Sequence, residues 1–407
     1  MLSLKLAWRY LNSGGKFLNF TSILALIGMV IGVASLVVSM AVVSGYETTL
    51  KKTLIDVVGH LIVVKRGKSI EGENEVLTQI KPMVEGYVEH TPFVVIEAVM
   101  AHNKKVGGVI LEGVEPQTVS KVLSLKKRIL EGQFNLGFKD DYPNALIGKG
   151  LAKKFNIKIG DTFRVVMPQS TGYNREQFRP RSQKFNLVGI LDLGRYDYDT
   201  RYILTSLSAA QDFAEINNQI TGVRIRVKKD EQAIVAEQKI KNDTESPYWA
   251  RSWKGANANL FEAIKYEKPV IFFVVFIIVI AAGFNISSTL FVSVMKRFSD
   301  IGVLKALGAK SSFMMKIFTW QGLLIGMIGS LLGIILGLAL CWLLMWGQDK
   351  FGFLPAEVYK IARIQLEIRP MDLVFILLIS TLVCFLSTLA PAIKGARLNP
   401  VEGLRYE

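Results

Sequence analysis

Four long apolar runs, Phe20 to Tyr46, Val270 to Met295, Ile317 to Trp346 and Leu373 to Ile393, constrain this chain more than any other feature. As helices rising 1.5 Å per residue, each is long enough to cross a hydrocarbon layer of ~30 Å. One polar block of about 220 residues separates the first run from the second, and short loops join the rest. The spacing predicts an α-helical membrane protein with four transmembrane helices and a large mixed α/β domain inserted between helices 1 and 2.

The expected segments run in order: an N-terminal segment 1–19, helix 20–46, outer domain 47–269, helix 270–295, loop 296–316, helix 317–346, loop 347–372, helix 373–393 and tail 394–407. Half of the 407 residues are hydrophobic, and they concentrate in the four runs, as in an integral membrane protein. The net charge of +15 would suggest nucleic acid in a soluble chain. In a membrane protein basic loops set topology and meet anionic headgroups, so no nucleic-acid partner is expected. Cys341 and Cys384 both lie inside apolar runs, so neither a disulfide framework nor a metal site is expected. The first run is about twice the usual 7–15 residues of a cleaved signal and reads as an uncleaved anchor. No cysteine lies near the N-terminus to carry a lipid.

Lysine and arginine place the loops. Lys5, Arg9 and Lys16 precede the first run without an acid. Lys296, Arg297, Lys305, Lys310 and Lys316 face only Asp300 in the loop 296–316. The tail carries Lys394, Arg397 and Arg405 against Glu402 and Glu407, whereas the loop 347–372 is balanced. The positive-inside rule therefore puts both termini and the loop 296–316 in the cytoplasm, and the large block outside.

Glycines recur four apart at Gly28 and Gly32, at Gly322 and Gly326, and at Gly329, Gly333 and Gly337. Such spacing lets helix backbones approach and predicts a helix-packing or dimer seam. The apolar cores hold no Asp, Glu, Lys, Arg or His, only milder polar residues such as Asn285, Ser287, Ser288 and Thr289. Ion-driven carriers keep a charged group at mid-membrane, so the energy for any transport must enter from outside the spans.

The loop reads KRFSDIGVLKALGAKSSFMMKIF, with Ile301, Leu304 and Leu307 at helical spacing and Gly308 as the stop. It predicts a short amphipathic helix. This loop and the tail PAIKGARLNPVEGLRYE resemble the cytoplasmic loop and C-terminal signature of FtsX/MacB-type ABC-transporter permeases. The resemblance implies a coupling helix, Asp300, Ile301, Leu304, Lys305, Leu307 and Gly308, seated on a separate ATPase. No G-x-x-x-x-G-K-[ST] loop occurs in the chain, so it is not itself that enzyme.

Within the polar block, HLIVVKR, FVVIEAVMA, GVILEGV, DTFRVVMP, KFNLVGIL and GVRIRVKK read as strands, and Ala209 to Asn217 and Asp230 to Asp243 as helices. No catalytic motif appears; His60, His90 and His102 have no partners at a recognisable spacing. Asp192, Asp197 and Asp199 lack the pattern of a calcium loop and read as a solvated turn. Gln169 to Gln183 is far longer than the 2–5 residues a hairpin needs, and is expected to bind something.

The N-terminal stretch LAWRYLNSGGKFLNFTSILALIGMVIGVASLVVSMAVVSGYETTL, with GVEPQ and NALIGKGLAKKFNIKIGDTF, resembles the LolC/LolE family of lipoprotein-releasing permeases. The likeness implies a permease that extracts lipoproteins from the bacterial inner (cytoplasmic) membrane, with its large domain in the periplasm. It implies as partners a LolD-like ATPase that holds ATP and Mg, a second permease copy or related permease, a LolA-like periplasmic chaperone, lipoproteins and membrane lipid. This chain itself would bind no cofactor. In LolC-type members a protruding hairpin captures the chaperone; Gln169 to Gln183 occupies its position, with Tyr173, Arg175, Phe178, Arg179, Pro180 and Arg181 as contacts. The family's lipid cavity would be lined here by Leu36, Met40, Val43, Phe272, Phe273 and Phe276. The alternatives are MacB-like export of peptides or drugs, and FtsX-like signalling to a cell-wall hydrolase.

Overall fold

The computed structural model describes residues 5–7, 20–67, 69–167, 180–243, 246–351 and 366–398. The chain divides into a unit of long apolar helices and a unit built from Thr48–Glu262. Helix α1, Phe20–Val58, does not stop where its apolar run stops at Tyr46. Beyond it Leu50, Leu54, Val57 and Val58 are buried at spacings of 4, 3 and 1. The uniform apolar surface gives way to a single apolar stripe, which continues the helix through a charged sequence.

The second unit follows as β1 (Leu61–Lys65), α2 (Glu73–Ile80), β2 (Tyr87–His102), β3 (Lys105–Val114), α3 (Val119–Val122), β4 (Ile129–Gly132), β5 (Phe138–Lys139), β6 (Tyr142–Gly148), α4 (Lys149–Phe155), β7 (Thr162–Met167) and β8 (Arg181–Leu191). It ends with α5 (Tyr196–Asp199), β9 (Tyr202–Ser206), α6 (Leu207–Ala214), β10 (Gly222–Val227), α7 (Asp230–Asn242) and β11 (Tyr248–Ser252). The strand order is β11-β1-β10-β2-β3-β9-β6-β8-β4.

The long strand β2 serves two pieces of sheet. Its first half pairs antiparallel with β10, from Tyr87 to Phe93, and β1 and β11 extend that wing. Its second half pairs with β7 at Val99 to Ala101. Because β7 also pairs with β8, the path β2-β3-β9-β6-β8-β7 closes on itself. Closure leaves the ring without a free edge, which a lone six-strand sheet would have. In the core, Phe163 and Phe185 stack with centroids 5.9 Å apart, and Phe185 meets Phe213 of α6 edge to face at 6.2 Å.

All six strands expected from the sequence are present. The chain adds β4, β5, β6, β9 and β11, of which β6 and β9 are the most deeply buried. Both are buried almost throughout, so neither shows the alternation of a strand with one wet face. Helix α6 starts two residues earlier than expected because Ser206 caps it, accepting a hydrogen bond from the Ala209 amide at 3.2 Å. It also stops earlier, at Ala214, where Glu215 turns left-handed.

Helices α8 (Ala258–Lys296), α9 (Phe298–Ala306), α10 (Ser311–Phe351) and α11 (Pro370–Arg397) complete the described chain. Helix α8 begins twelve residues before its apolar run and continues through Pro269. With α1, α10 and α11 it gives four helices long and apolar enough to cross a membrane among the described residues. The glycine pairs resolve into distinct seams. A Cβ on Gly333 or Gly337 would lie 2.7 Å from Cβ of Val33 or Val37 on α1. One on Gly326 would lie 2.5 Å from Cys384 Cβ on α11. Helix α10 thus receives two neighbours, one on each glycine row, within a single chain.

Candidate functional site

Helix α9 is the short helix expected in the loop 296–316 and closes as expected at Gly308, at φ +93°. The Gly308 amide donates to the Lys305 carbonyl at 3.0 Å, and the Ala309 amide to the Leu304 carbonyl at 3.0 Å. These are the two bonds of a Schellman stop, which needs a residue tolerant of positive φ. At the other end Arg297 reaches Asp300 at 3.5 Å.

The apolar residues of α9 do not share one face. Ile301 is buried with Val294, Met314, Ile317, Phe318, Ala392 and Ala396, and Leu304 packs against this cluster. Leu307 is 80% exposed and Val303 45%. Periodicity counted Leu307 with Ile301 and Leu304, but the Schellman stop rotates it outward. The outward apolar pair of this loop is Val303 and Leu307. Lys305 turns inward, and its ammonium donates to the carbonyls of Ala396 and Leu398, each at 2.7 Å.

In the outer unit, β7 and β8 form an antiparallel ladder from Thr162↔Asn186 to Met167↔Arg181. Arg181, Ser182 and Gln183 are therefore strand residues, and the connection is shorter than the sequence suggested. Arg181 forms an ion pair with Glu215, which supplies the reason: a partner across the fold holds it in the ladder. Pro180 is exposed at the base of the connection. Tyr173, Arg175, Phe178 and Arg179 lie outside the described residues.

The candidate cavity residues separate by burial. Leu36 is 1% exposed in the helix core, with Met40, Phe272 and Phe276 packed around that core. Phe272 and Phe276 stack at 5.8 Å. Val43 is half-buried, and Phe273 is 64% exposed.

The acidic turn is solvated only in part: Asp197 is exposed and Asp192 half-buried. Asp199 is buried, accepting from the Leu193 amide at 2.8 Å with Lys149 at 4.0 Å; Lys149 sits closer to Asp192, at 2.8 Å. No group of three or more metal-ligating side chains occurs among the described residues. Burial pushes the Asp199 carboxyl up to about 7 from 3.8, against the Leu193 amide and Lys149. Folded chain therefore keeps a proton that unfolded chain has released between these values. Stability from this group is greatest below pH ~3.8 and is lost as pH rises to ~7. Asp199→Asn keeps an acceptor for the Leu193 amide and removes the charge. Its stability relative to the unsubstituted chain should rise between pH 5 and pH 8, by at most about 3 kcal/mol. Thermal unfolding at the two pH values checks this; a constant difference would refute it.

Comparison with known proteins covers the whole chain. The MacB-like periplasmic core domain model matches residues 22–243, and the FtsX-like permease C-terminal model matches residues 272–400. The chain is 28% identical to the lipoprotein-releasing system transmembrane protein LolC of Xylella fastidiosa (strain 9a5c), covering 100% of this chain and 99% of that one. It is 26% identical to the LolC of Neisseria meningitidis serogroup B, covering 100% of both. It is also 28% identical to the LolE of Haemophilus influenzae, covering 98% of each. Among solved structures it is similar to the periplasmic region of MacB from Actinobacillus actinomycetemcomitans, at 12% identity and TM-score 0.33, over 51% of this chain and 97% of that one.

Proposed function

The chain belongs to the MacB-like periplasmic core domain family and, within it, to the LolC/LolE lipoprotein-releasing permeases, and from that premise we infer how it works. It is the permease subunit of an ABC complex that releases lipoproteins, a multi-pass protein of the inner membrane. The observation that carries this is the end-to-end match, through the outer domain and the membrane helices alike, to LolC and LolE proteins of several bacteria.

The physical task is severe. Each acyl methylene withdrawn from lipid costs about 0.8 kcal/mol, so a chain of about fifteen costs on the order of 12 kcal/mol. Our reading puts the motor on a separate ATPase that binds ATP and Mg and presses on α9 through the exposed Val303 and Leu307. Both termini and α9 face the cytoplasm, as the lysine and arginine counts favour. The helices, with a second permease, hold the lipid. The periplasmic domain passes the lipoprotein to a soluble chaperone, which docks on the connection between β7 and β8. Tyr173, Arg175, Phe178 and Arg179 are its anchors, being residue types favoured at interfaces.

Reconstitution tests this. The chain, co-purified with its ATPase in proteoliposomes, should release a labelled lipoprotein into solution only with ATP and a periplasmic lipoprotein chaperone. Replacing residues 168–180 by an Asn-Gly turn should leave the β7–β8 ladder intact and reduce release at least tenfold. ATP-driven peptide transport without lipoprotein release would favour export instead. Unaltered release by the shortened protein would remove the docking assignment.

A further inference from the structure

The last carbonyls of a helix have no partner within it. In α11 those of Ala396 and the adjoining Leu398 are taken by one side chain from another element, Lys305 of α9, through two hydrogen bonds of 2.7 Å. An ammonium there also meets the negative end of the helix dipole, and charge-assisted bonds are the stronger kind. The two elements are close as well as bonded. A Cβ on Gly395 of α11 would lie 3.1 Å from both Phe318 Cε2 and Val294 Cγ1, so the end of α11 is pressed into the cluster that buries Ile301.

Helix α9 therefore has two sides with different chemistry. Val303 and Leu307 face outward. Ile301, Leu304 and Lys305 face the bundle, and of these Lys305 alone makes directional bonds. We propose that Lys305 is the positioning residue that transmits displacement of α9 to the end of α11. This inference rests on the reading of the chain as an ATPase-driven permease. Apolar contacts such as those of Ile301 let α9 slide over the bundle, since they are non-directional. Two short bonds to fixed carbonyls resist sliding, so a push on α9 pulls on the backbone of α11.

The test uses the complete complex in proteoliposomes, with lipoprotein released per ATP hydrolysed as the readout. Lys305→Met keeps the apolar stem and removes the donors; Lys305→Arg keeps charge and donors. We expect Lys305→Met to lower the ratio at least fivefold, and Lys305→Arg to restore it to within twofold. Hydrogen exchange should show the last-turn amides of α11 opening at least tenfold faster in Lys305→Met. A wild-type ratio in Lys305→Met, or failure of Lys305→Arg as complete as that of Met, would overturn the proposal. So would loss of assembly with the ATPase in Lys305→Met, which would make Lys305 an assembly residue. If the unsubstituted complex releases no lipoprotein with ATP, the functional reading itself has failed, and that arm is seen before any variant is compared.

Discussion

Glu112→Ala should destabilise the periplasmic domain by about 3–5 kcal/mol, the cost of stranding a buried charge. Glu112 on β3 is 1% exposed and Arg224 on β10 is 5% exposed. The guanidinium meets the carboxylate through both of its terminal nitrogens, Nη2 to Oε2 at 2.8 Å, and lies 4.5 Å from the Phe93 ring centroid. The two strands flank β2, so the pair reaches across a strand between them. With Glu112 removed, Arg224 keeps its charge and loses its counter-ion in a site from which water is excluded. The double replacement Glu112→Met with Arg224→Met removes both charges, and replacing a buried pair by apolar groups is often neutral or better. The expected order of stability is therefore double variant above single variant. Thermal unfolding of the purified chain in detergent, followed by protease susceptibility of the periplasmic domain, gives the comparison. A single variant within about 1 kcal/mol of the unsubstituted chain would show that the pair is hydrated.

Gly333→Leu should separate α10 from α1. A Cβ at Gly333 already lies 2.7 Å from Val33 Cβ and 2.9 Å from the Val30 carbonyl oxygen. The obstacle is backbone as well as side chain, so no rotamer change relieves it. Overpacking typically costs 1–3 kcal/mol, and a leucine against main chain should reach or pass about 3. Ile335→Leu, at a position 63% exposed, is the control and should be nearly silent. Gly333→Ala combined with Val33→Ala removes the opposing methyl groups and should recover part of the loss. Thermal stability in detergent and yield from membranes measure the series. A Gly333→Leu protein as stable as its control would mean that the seam is not a tight contact.

Several parts of the molecule were legible because they depend on near neighbours. Gly308 marks the end of α9, since only a residue content at positive φ closes that turn. The strands β7 and β8 were visible by their alternation, and the surplus of chain between them by its length. Other parts failed for equally local reasons. Leu307 repeats with Ile301 and Leu304 at helical spacing, yet it lies past the last helical residue, where the period no longer sets direction. Helix α1 was ended at Tyr46 because Glu47, Lys51 and Lys52 are charged, although Leu50, Leu54, Val57 and Val58 carry its stripe onward. Asp199 looked like part of a wet turn, because nothing in its neighbourhood announces the Leu193 amide that receives it.

Run length and lysine and arginine placement are properties of the linear chain. Run length was sufficient for the apolar helices and the inserted domain, because a bilayer demands a minimum helix length, and the basic residues carry the proposed sidedness. Tertiary structure alone decided which partners meet. It assigned Gly333 and Gly337 to α1 and Gly326 to α11, joined Arg224 to Glu112 across 112 positions, and closed the ring of strands through β7. It also turned Lys305 away from the surface, onto carbonyls more than 90 residues further along. A residue's spacing within its own helix or strand sets its direction, but what waits there is settled by packing of elements distant in sequence.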